Sequence, residues 1–286
     1  MRHFILYNPL AGHGDFNEKL SNLKGFLSGE CVDCDITKVD SYADFVAGLS
    51  SDDVIVISGG DGTLNRFVNA VDCDNLKNDV LYYASGSGND FLHDLGKTVG
   101  DGPFKINDYI VNLPTATVKG KTYRFINGIG YGIDGYCCEV GDKLKEKNKA
   151  VNYTNIAISG LLFHYKPTNA TVTVDGKSYE YKKVWIAPTM NGRFYGGGIM
   201  PTPNQQRLGS DESSVMVFYG TGRLKTLMLF PSLFKGEHVN RKKNVFIAKG
   251  KEITVKFDRP TALQVDGETI LDVTEYTVCS KKLAKV

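Results

Sequence analysis

No stretch of this 286-residue chain stays apolar long enough to cross a bilayer. The longest runs, 156–165 and 224–234, fall far short of the ~20 residues a spanning helix needs. Charge of one sign is also missing. Lys and Arg number 34 against 32 Asp and Glu, a formal +2, too little to argue for nucleic acid as a partner. The opening Met1-Arg2-His3-Phe4-Ile5-Leu6-Tyr7 lacks the apolar core and cleavage site of a secretory leader and reads as a first strand, so the expectation is a cytoplasmic protein. There is no low-complexity segment and no repeat of fixed period. Cysteine is sparse, six in all. Cys31 and Cys34 make one C-x-x-C, but no second pair follows and none of the five histidines stands at ligand spacing from it. Scattered reduced thiols are therefore the better reading than zinc or redox chemistry. Cys137-Cys138 and the single Trp185 read as core.

What is present is ordinary globular composition, 42% apolar and 23% charged, in a length that suits about two domains at roughly 150 residues each. The first third alternates strand and helix. Residues 3–7, 32–39, 54–57 and 80–84 are strand-like. Phe16, Leu20, Leu23 and Leu27 recur at helical spacing over 15–28. A short helix covers 42–49, and 63–70 is a helix with Thr63 near its N-cap. This order predicts an α/β domain, a parallel sheet with flanking helices whose ligands bind beyond the carboxyl ends of the strands. Three turn-rich loops, 8–14, 58–63 and 85–90, would meet there.

From about residue 108 strand-like runs dominate: 108–113, 116–118, 122–127, 170–174, 183–188, 214–219, 244–248, 252–257 and 262–265. Turns such as Val174-Asp175-Gly176-Lys177 separate them, and a helical insert covers 137–162. The pattern predicts a β-sandwich-like second domain. The division is a nucleotide-binding domain 1–112 and a β-rich substrate domain 113–275, with 276–286 free to return to the first.

The most informative residues are Ser58-Gly59-Gly60-Asp61-Gly62-Thr63, between the run Val54-Ile55-Val56-Ile57 and a helix. Glycines in such a turn are expected to supply φ > 0, and the helix N-terminus offers N–H groups to an anion. The prediction is a phosphate cradle rather than a plain connecting turn. It is not a Walker A loop, since no Gly-Lys-Ser/Thr follows. It is not the Gly-Gly-Asp/Glu-Glu-Phe loop of nucleotide cyclases, since Gly62-Thr63 replaces Glu-Phe.

Asn8-Pro9-Leu10-Ala11-Gly12, Gly59-Gly60-Asp61-Gly62-Thr63-Leu64-Asn65 and Gly86-Ser87-Gly88-Asn89-Asp90 together resemble the catalytic domain of diacylglycerol kinases, most closely the soluble bacterial lipid kinases of that superfamily. Later segments are similar to the same family in the same order: residues 127–134 from Asn127 to Asp134, 191–198 from Asn191 to Gly198, Gly236-Glu237-His238-Val239 and Leu263-Gln264-Val265-Asp266-Gly267-Glu268. The glycine loop alone is shared with NAD kinases and some phosphofructokinases.

The resemblance implies a two-domain lipid kinase with its active site in the cleft between domains. Asn8, Pro9, Leu10, Ala11, Gly12, Thr37, Gly59, Gly60, Asp61, Gly62, Thr63, Leu64, Asn65, Gly86, Ser87 and Asn89 would surround ATP. Asp61 and Asp90 would serve Mg²⁺, and Asp266 and Glu268 would supply the base for the lipid hydroxyl. Ser87 stands where the family usually has Thr, keeping the hydroxyl. One departure is larger. The family commonly carries two aspartates and a glycine before the strand that is here 215–219, where they help bind a structural magnesium. This chain has Leu208-Gly209-Ser210-Asp211-Glu212-Ser213-Ser214. Asp211 is the best remaining ligand, and a solvated acidic loop is the alternative.

The residue types suit the chemistry. Phosphoryl transfer needs the donor phosphate in line with the acceptor and cations or N–H groups on its oxygens. Magnesium takes carboxylates, and a positioned carboxylate can accept a hydroxyl proton. By pattern alone Asp266-Gly267 is equally a hairpin turn. The expected reaction is ATP- and Mg²⁺-dependent phosphorylation of a lipid hydroxyl, diacylglycerol to phosphatidic acid. Other acceptors (a sphingoid base, an isoprenoid alcohol, NAD) and a non-catalytic lipid- or nucleotide-binding homologue are the alternatives. Lys225, Lys235, Arg241, Lys242 and Lys243 flank Leu227-Met228-Leu229-Phe230 and Leu233-Phe234. They suit peripheral contact with the inner face of a membrane, against the plainer reading of a core segment with solvated lysines. Exposed strand edges of a sandwich could pair in a homodimer.

Overall fold

The computed structural model describes residues 1–9, 16–86 and 88–280. The chain forms two compact units, Met1–Leu113 and a second beginning at Pro114.

In the first unit β1 (Arg2–Tyr7), β2 (Glu30–Asp35), β3 (Val54–Gly59), β4 (Val80–Ala84) and β5 (Phe104–Lys105) make one sheet in the order β2-β1-β3-β4-β5. Its pairings are parallel except the last, β4 with β5. The connections carry α1 (Phe16–Phe26), α2 (Tyr42–Ala47), α3 (Asp61–Ala70), α4 (Asp90–Asp94) and α5 (Asn107–Ile110). All six residues of β3 are buried, which is why it reads as a continuous apolar run rather than an alternating one. On one face Val54 and Val56 pack with Leu20 and Leu23 of α1.

Two expectations change here. Residues 108–113 are not a strand. Its first half lies in the single turn α5, with Ile110 buried and the Asn107 Oδ1 accepting the Val80 N–H at 2.8 Å. Thr63 is not a cap but the third residue of α3; the N-cap is Gly60, in extended backbone.

The second unit holds β6 (Thr115–Val118), β7 (Lys121–Arg124), β8 (Gly128–Tyr131), β9 (Thr168–Val174), β10 (Lys177–Ile186), β11 (Thr189–Met190), β12 (Ser213–Tyr219), β13 (Val245–Gly250), β14 (Glu252–Val265) and β15 (Glu268–Cys279). The runs expected at 252–257 and 262–265 are two halves of β14, joined across irregular register between Lys256 and Leu263. Its first half pairs with β9 and its second with β8. Since β8, β11, β12, β10 and β9 are linked in that order, β14 closes the sandwich into a ring. Val172, Val215, Val217, Ile253, Val255 and Phe257 lie in its buried cluster.

Outside the ring lie α6 (Ile133–Glu146), α7 (Tyr153–Ser159), a π-helical turn at Gly160–His164 and α8 (Arg223–Leu229), packed around Trp185, Ile186 and Phe218. Residues 276–279 belong to β15 and pair with β6 in this second sheet; 281–286 lie outside the described residues.

Candidate functional site

Parallel register lines up the carboxyl ends of four strands. Tyr7 stands opposite Asp35 and Ser58, and Gly59 opposite Ala84. Asn8-Pro9, Ile36–Lys38, Gly60–Asn65, Ser85-Gly86 and Gly88–Asp90 therefore leave one edge of the sheet side by side. Leu10, Ala11, Gly12 and Ser87 lie outside the described residues.

The two glycine loops are packed back to back. The Asp61 N–H donates to the Gly88 carbonyl and the Ser85 N–H to that of Gly59, both at 3.0 Å. A Cβ on Gly60 would stand 2.8 Å from the Gly88 oxygen, and one on Gly86 2.5 Å from the Gly60 Cα. A Cβ on Gly59 would meet the Thr63 Oγ1 at 2.4 Å. None of Gly59, Gly60, Gly62, Gly86 or Gly88 has positive φ, so the expectation that these glycines supply φ > 0 is corrected. Gly59, Gly60 and Gly86 are required by close approach. Gly62 differs: among the described residues a Cβ there would meet nothing within 4 Å. The N-cap of α3 is Gly60, which has no side chain to compete with an anion for the first turn, where the Asp61 and Thr63 N–H groups donate to the Gly88 and Gly60 carbonyls.

The Asp61 carboxylate is turned to α4, accepting the N–H groups of Asp90 (2.7 Å) and Phe91 (3.2 Å) and so capping that helix from the neighbouring loop. Asp61, Asp90, Leu64 and Asn65 are all buried. The Asn89 Nδ2 donates to the Gly86 carbonyl at 2.8 Å. Burial, and then the charge of Asp61, push the Tyr82 hydroxyl well up, and it donates to the Gly59 carbonyl. Among the described residues no three His, Cys, Asp or Glu side chains converge as a metal cluster. Magnesium carried by a nucleotide needs only one or two carboxylates, the rest of its shell being phosphate and water. The neighbours Asp61 and Asp90 are a donor set of that size.

In the second unit Asp266 (φ 46°) and Gly267 (φ 92°) form the two-residue turn between β14 and β15, so the hairpin reading holds at the level of backbone. The Asp266 carboxylate also accepts three backbone N–H groups, from Ile126 (2.5 Å), Asn127 (2.8 Å) and Gly128 (2.9 Å). The segment from Ile126 is bound on its other side by Asn191, whose N–H donates to the Asn127 carbonyl and whose Nδ2 donates to that of Ile126, both at 2.9 Å. Arg207 donates to the Ile126 carbonyl and to the Asn127 Oδ1. Segments that lie far apart in sequence thus meet around three peptide groups. Glu268 is exposed at the first residue of β15, opposite Val265.

Beside this lies a buried polar group that the sequence left without a role. Asp134, at the start of α6, accepts from the Tyr195 hydroxyl at 3.1 Å. Burial pushes its carboxyl up to about 6, against the hydrogen bonds that favour the anion. A Cβ on Gly130 would fall 1.5 Å from the Asp134 Oδ2 and 2.7 Å from the Gln264 Nε2, so glycine in β8 is what admits both side chains. An acid just after a Gly-x-Gly-x-Gly run was the available signal; nothing in sequence marked Arg207.

Thr37 is engaged locally. Its N–H and Oγ1 donate to the Asp35 Oδ1 at 2.9 and 2.6 Å, and these bonds, the hydroxyl's first, hold the Asp35 carboxyl below its usual range. Asp211 lies in the second unit, half-exposed and paired with Lys251 at 2.8 Å. Cys31 and Cys34 are an odd number of residues apart on β2 and so face opposite sides of the sheet, which rules them out as joint ligands. Both are free thiols.

Residues 2–116 match the diacylglycerol kinase catalytic domain, and residues 127–282 match the YegS C-terminal NAD kinase beta sandwich-like domain. A diacylglycerol kinase of Mycobacterium tuberculosis is 25% identical over 251 residues, covering 82% of this chain and 78% of that protein. A Staphylococcus aureus protein provisionally named a lipid kinase is 25% identical over 292 residues, covering 94% and 89%. A crystal structure titled as a Bacillus anthracis diacylglycerol kinase superposes with a TM-score of 0.63 at 20% identity, over 97% of this chain and 93% of the other, and bears on the fold. The α/β unit followed by a closed β-sandwich is the architecture of a two-domain kinase. The chain belongs to the diacylglycerol kinase-like family of lipid kinases.

Proposed function

We propose that this kinase transfers the γ-phosphate of ATP, carried with Mg²⁺, to a lipid hydroxyl, and that its acceptor is diacylglycerol, giving phosphatidic acid. The observation that carries the reading is the glycine-capped N-terminus of α3, open above Gly62 and framed by back-to-back glycine loops at the carboxyl edge of a parallel sheet. That is where a triphosphate would meet the positive end of a helix dipole. Asp61 and Asp90 would hold the magnesium, which draws charge from the phosphate oxygens. Asn8, Pro9, Thr37, Leu64, Asn65 and Asn89 would line the nucleotide.

The acceptor oxygen forms its bond to the γ-phosphorus as the bond to the β,γ-bridging oxygen breaks, ADP leaves, and the hydroxyl proton passes to a carboxylate. Asp266 and Glu268 are assigned that work. Three backbone donors fix the Asp266 carboxylate and with it the turn, and Glu268 stands exposed two residues on. The names of the relatives favour diacylglycerol over a sphingoid base, an isoprenoid alcohol or NAD.

The test is transfer of labelled γ-phosphate to a panel in mixed micelles with Mg²⁺: diacylglycerol, monoacylglycerol, sphingosine, ceramide and undecaprenol, with NAD run beside them. Label should appear on diacylglycerol and fall by roughly 10²–10⁴ in Glu268→Gln or Asp266→Asn, with melting curves showing that each variant is folded. Label on no acceptor would sink the reading and leave a nucleotide- or lipid-binding homologue.

A further inference from the structure

Leu227, Leu229 and Phe230 pack beside the cluster of Leu161, Trp185 and Leu233, as a core segment should. The opposite side of α8 does not. Leu224 and Met228, one turn apart on the same face, are 70% and 73% exposed. The π-helical turn contributes Phe163 at 72% exposure, and α7 contributes the exposed Ile158. These elements adjoin, since the Arg223 Nη1 donates to the Leu161 carbonyl at 2.8 Å. Single exposed apolar residues are ordinary, but several on neighbouring elements mark an interaction face.

Charge says what covers it. Segments 147–170 and 220–243 carry nine Lys and Arg against one acid, Glu237, a formal +8 in a chain whose whole balance is +2. We propose that α8 and the α7–π segment form a docking face for an anionic lipid bilayer. The choice of occupant rests on the lipid-kinase reading. Apolar side chains enter the acyl boundary while the ammonium and guanidinium groups of the same segments stay with anionic headgroups. A second copy of this chain fits worse, because a two-fold interface sets the same patch against itself and would oppose +8 with +8. No helix among the described residues is long and apolar enough to span, so the contact is peripheral.

The experiment is sedimentation of the full chain with vesicles of phosphatidylcholine alone and of phosphatidylcholine with phosphatidylglycerol, without nucleotide. Wild type should bind the anionic vesicles, and binding should weaken as salt rises. The triple variant Phe163→Ser, Leu224→Ser, Met228→Ser should lose roughly tenfold or more in partitioning. Lys225→Gln with Lys235→Gln should lose the preference for anionic lipid. A short-chain, water-soluble diacylglycerol should be phosphorylated equally by wild type and the triple variant, and vesicle-borne diacylglycerol less by the variant. Equal partitioning of the two proteins, or none by wild type, overturns the docking face. So does a dimer, seen by sedimentation velocity, that the triple variant dissolves. Vesicle binding with no acceptor phosphorylated leaves the face standing and defeats the kinase reading; the reverse defeats the face alone.

Discussion

Asp134 is held where a charged carboxylate is poorly placed, and the cost has a pH signature. Its folded value of about 6 lies above its ordinary 3.8, so between those limits the folded protein binds more protons than the unfolded chain. Stability from this group is therefore greatest below about pH 4, falls as pH rises to about 6, and stays reduced above it. Asn in its place can still accept from Tyr195 and carries no charge. Asp134→Asn should be more stabilising near pH 8 than near pH 4, by up to about 3 kcal/mol, read from urea unfolding at the two pH values. A pH-independent difference would refute the burial account.

The glycines divide at the same scale. Gly60→Ala and Gly86→Ala force a methyl against backbone at 2.8 and 2.5 Å and should destabilise by roughly 1–3 kcal/mol. Gly62→Ala meets open space inside a helix and should leave stability unchanged or raise it by about 0.5–1 kcal/mol. It should nevertheless weaken nucleotide binding, by placing a methyl where phosphate is proposed to sit. Denaturation curves and calorimetric titration with ATP separate these outcomes.

At the scale of elements, β14 has partners along both sides over most of its length: β15 on one, β9 and then β8 on the other. Phe257, buried within it, should cost about 3–5 kcal/mol as Phe257→Ala, measurable by the same denaturation. Strands such as β3 were legible because burial on both faces demands an unbroken apolar run. β8 was not, because Gly128-Ile129-Gly130-Tyr131 is poor strand sequence. It is a strand because Met190, Asp134 and Gln264 occupy the space that side chains would need. The segment 108–113 misled for the opposite reason: apolar, partly β-branched residues make a single helical turn whose place is set by Asn107 reaching Val80. At the site, the Asp266-Gly267 turn was visible in the local pair. The peptide N–H groups that take its carboxylate lie 138–140 residues away in sequence and could not be seen.

For the molecule as a whole, the division near residue 113 was legible as a shift from alternating helices to strands, and the small net charge concealed a strongly cationic part. All six cysteines are free thiols. Burial pushes the Cys138 thiol up to about 12 and that of Cys137 higher still, so both stay protonated and unreactive near neutrality. The melting temperature should be the same with and without a reductant, checked by paired scans.

The ring closed by β14 governs how the chain can be made. The first unit is compact within Met1–Leu113 and can fold as soon as those residues leave the ribosome. The second cannot. β8 and β9 present unpaired edges until Glu252–Val265 has been synthesised, and such edges are what chaperones hold and proteases cut. A nascent chain arrested before residue 252 should therefore have a protected first unit and a second that is still being digested.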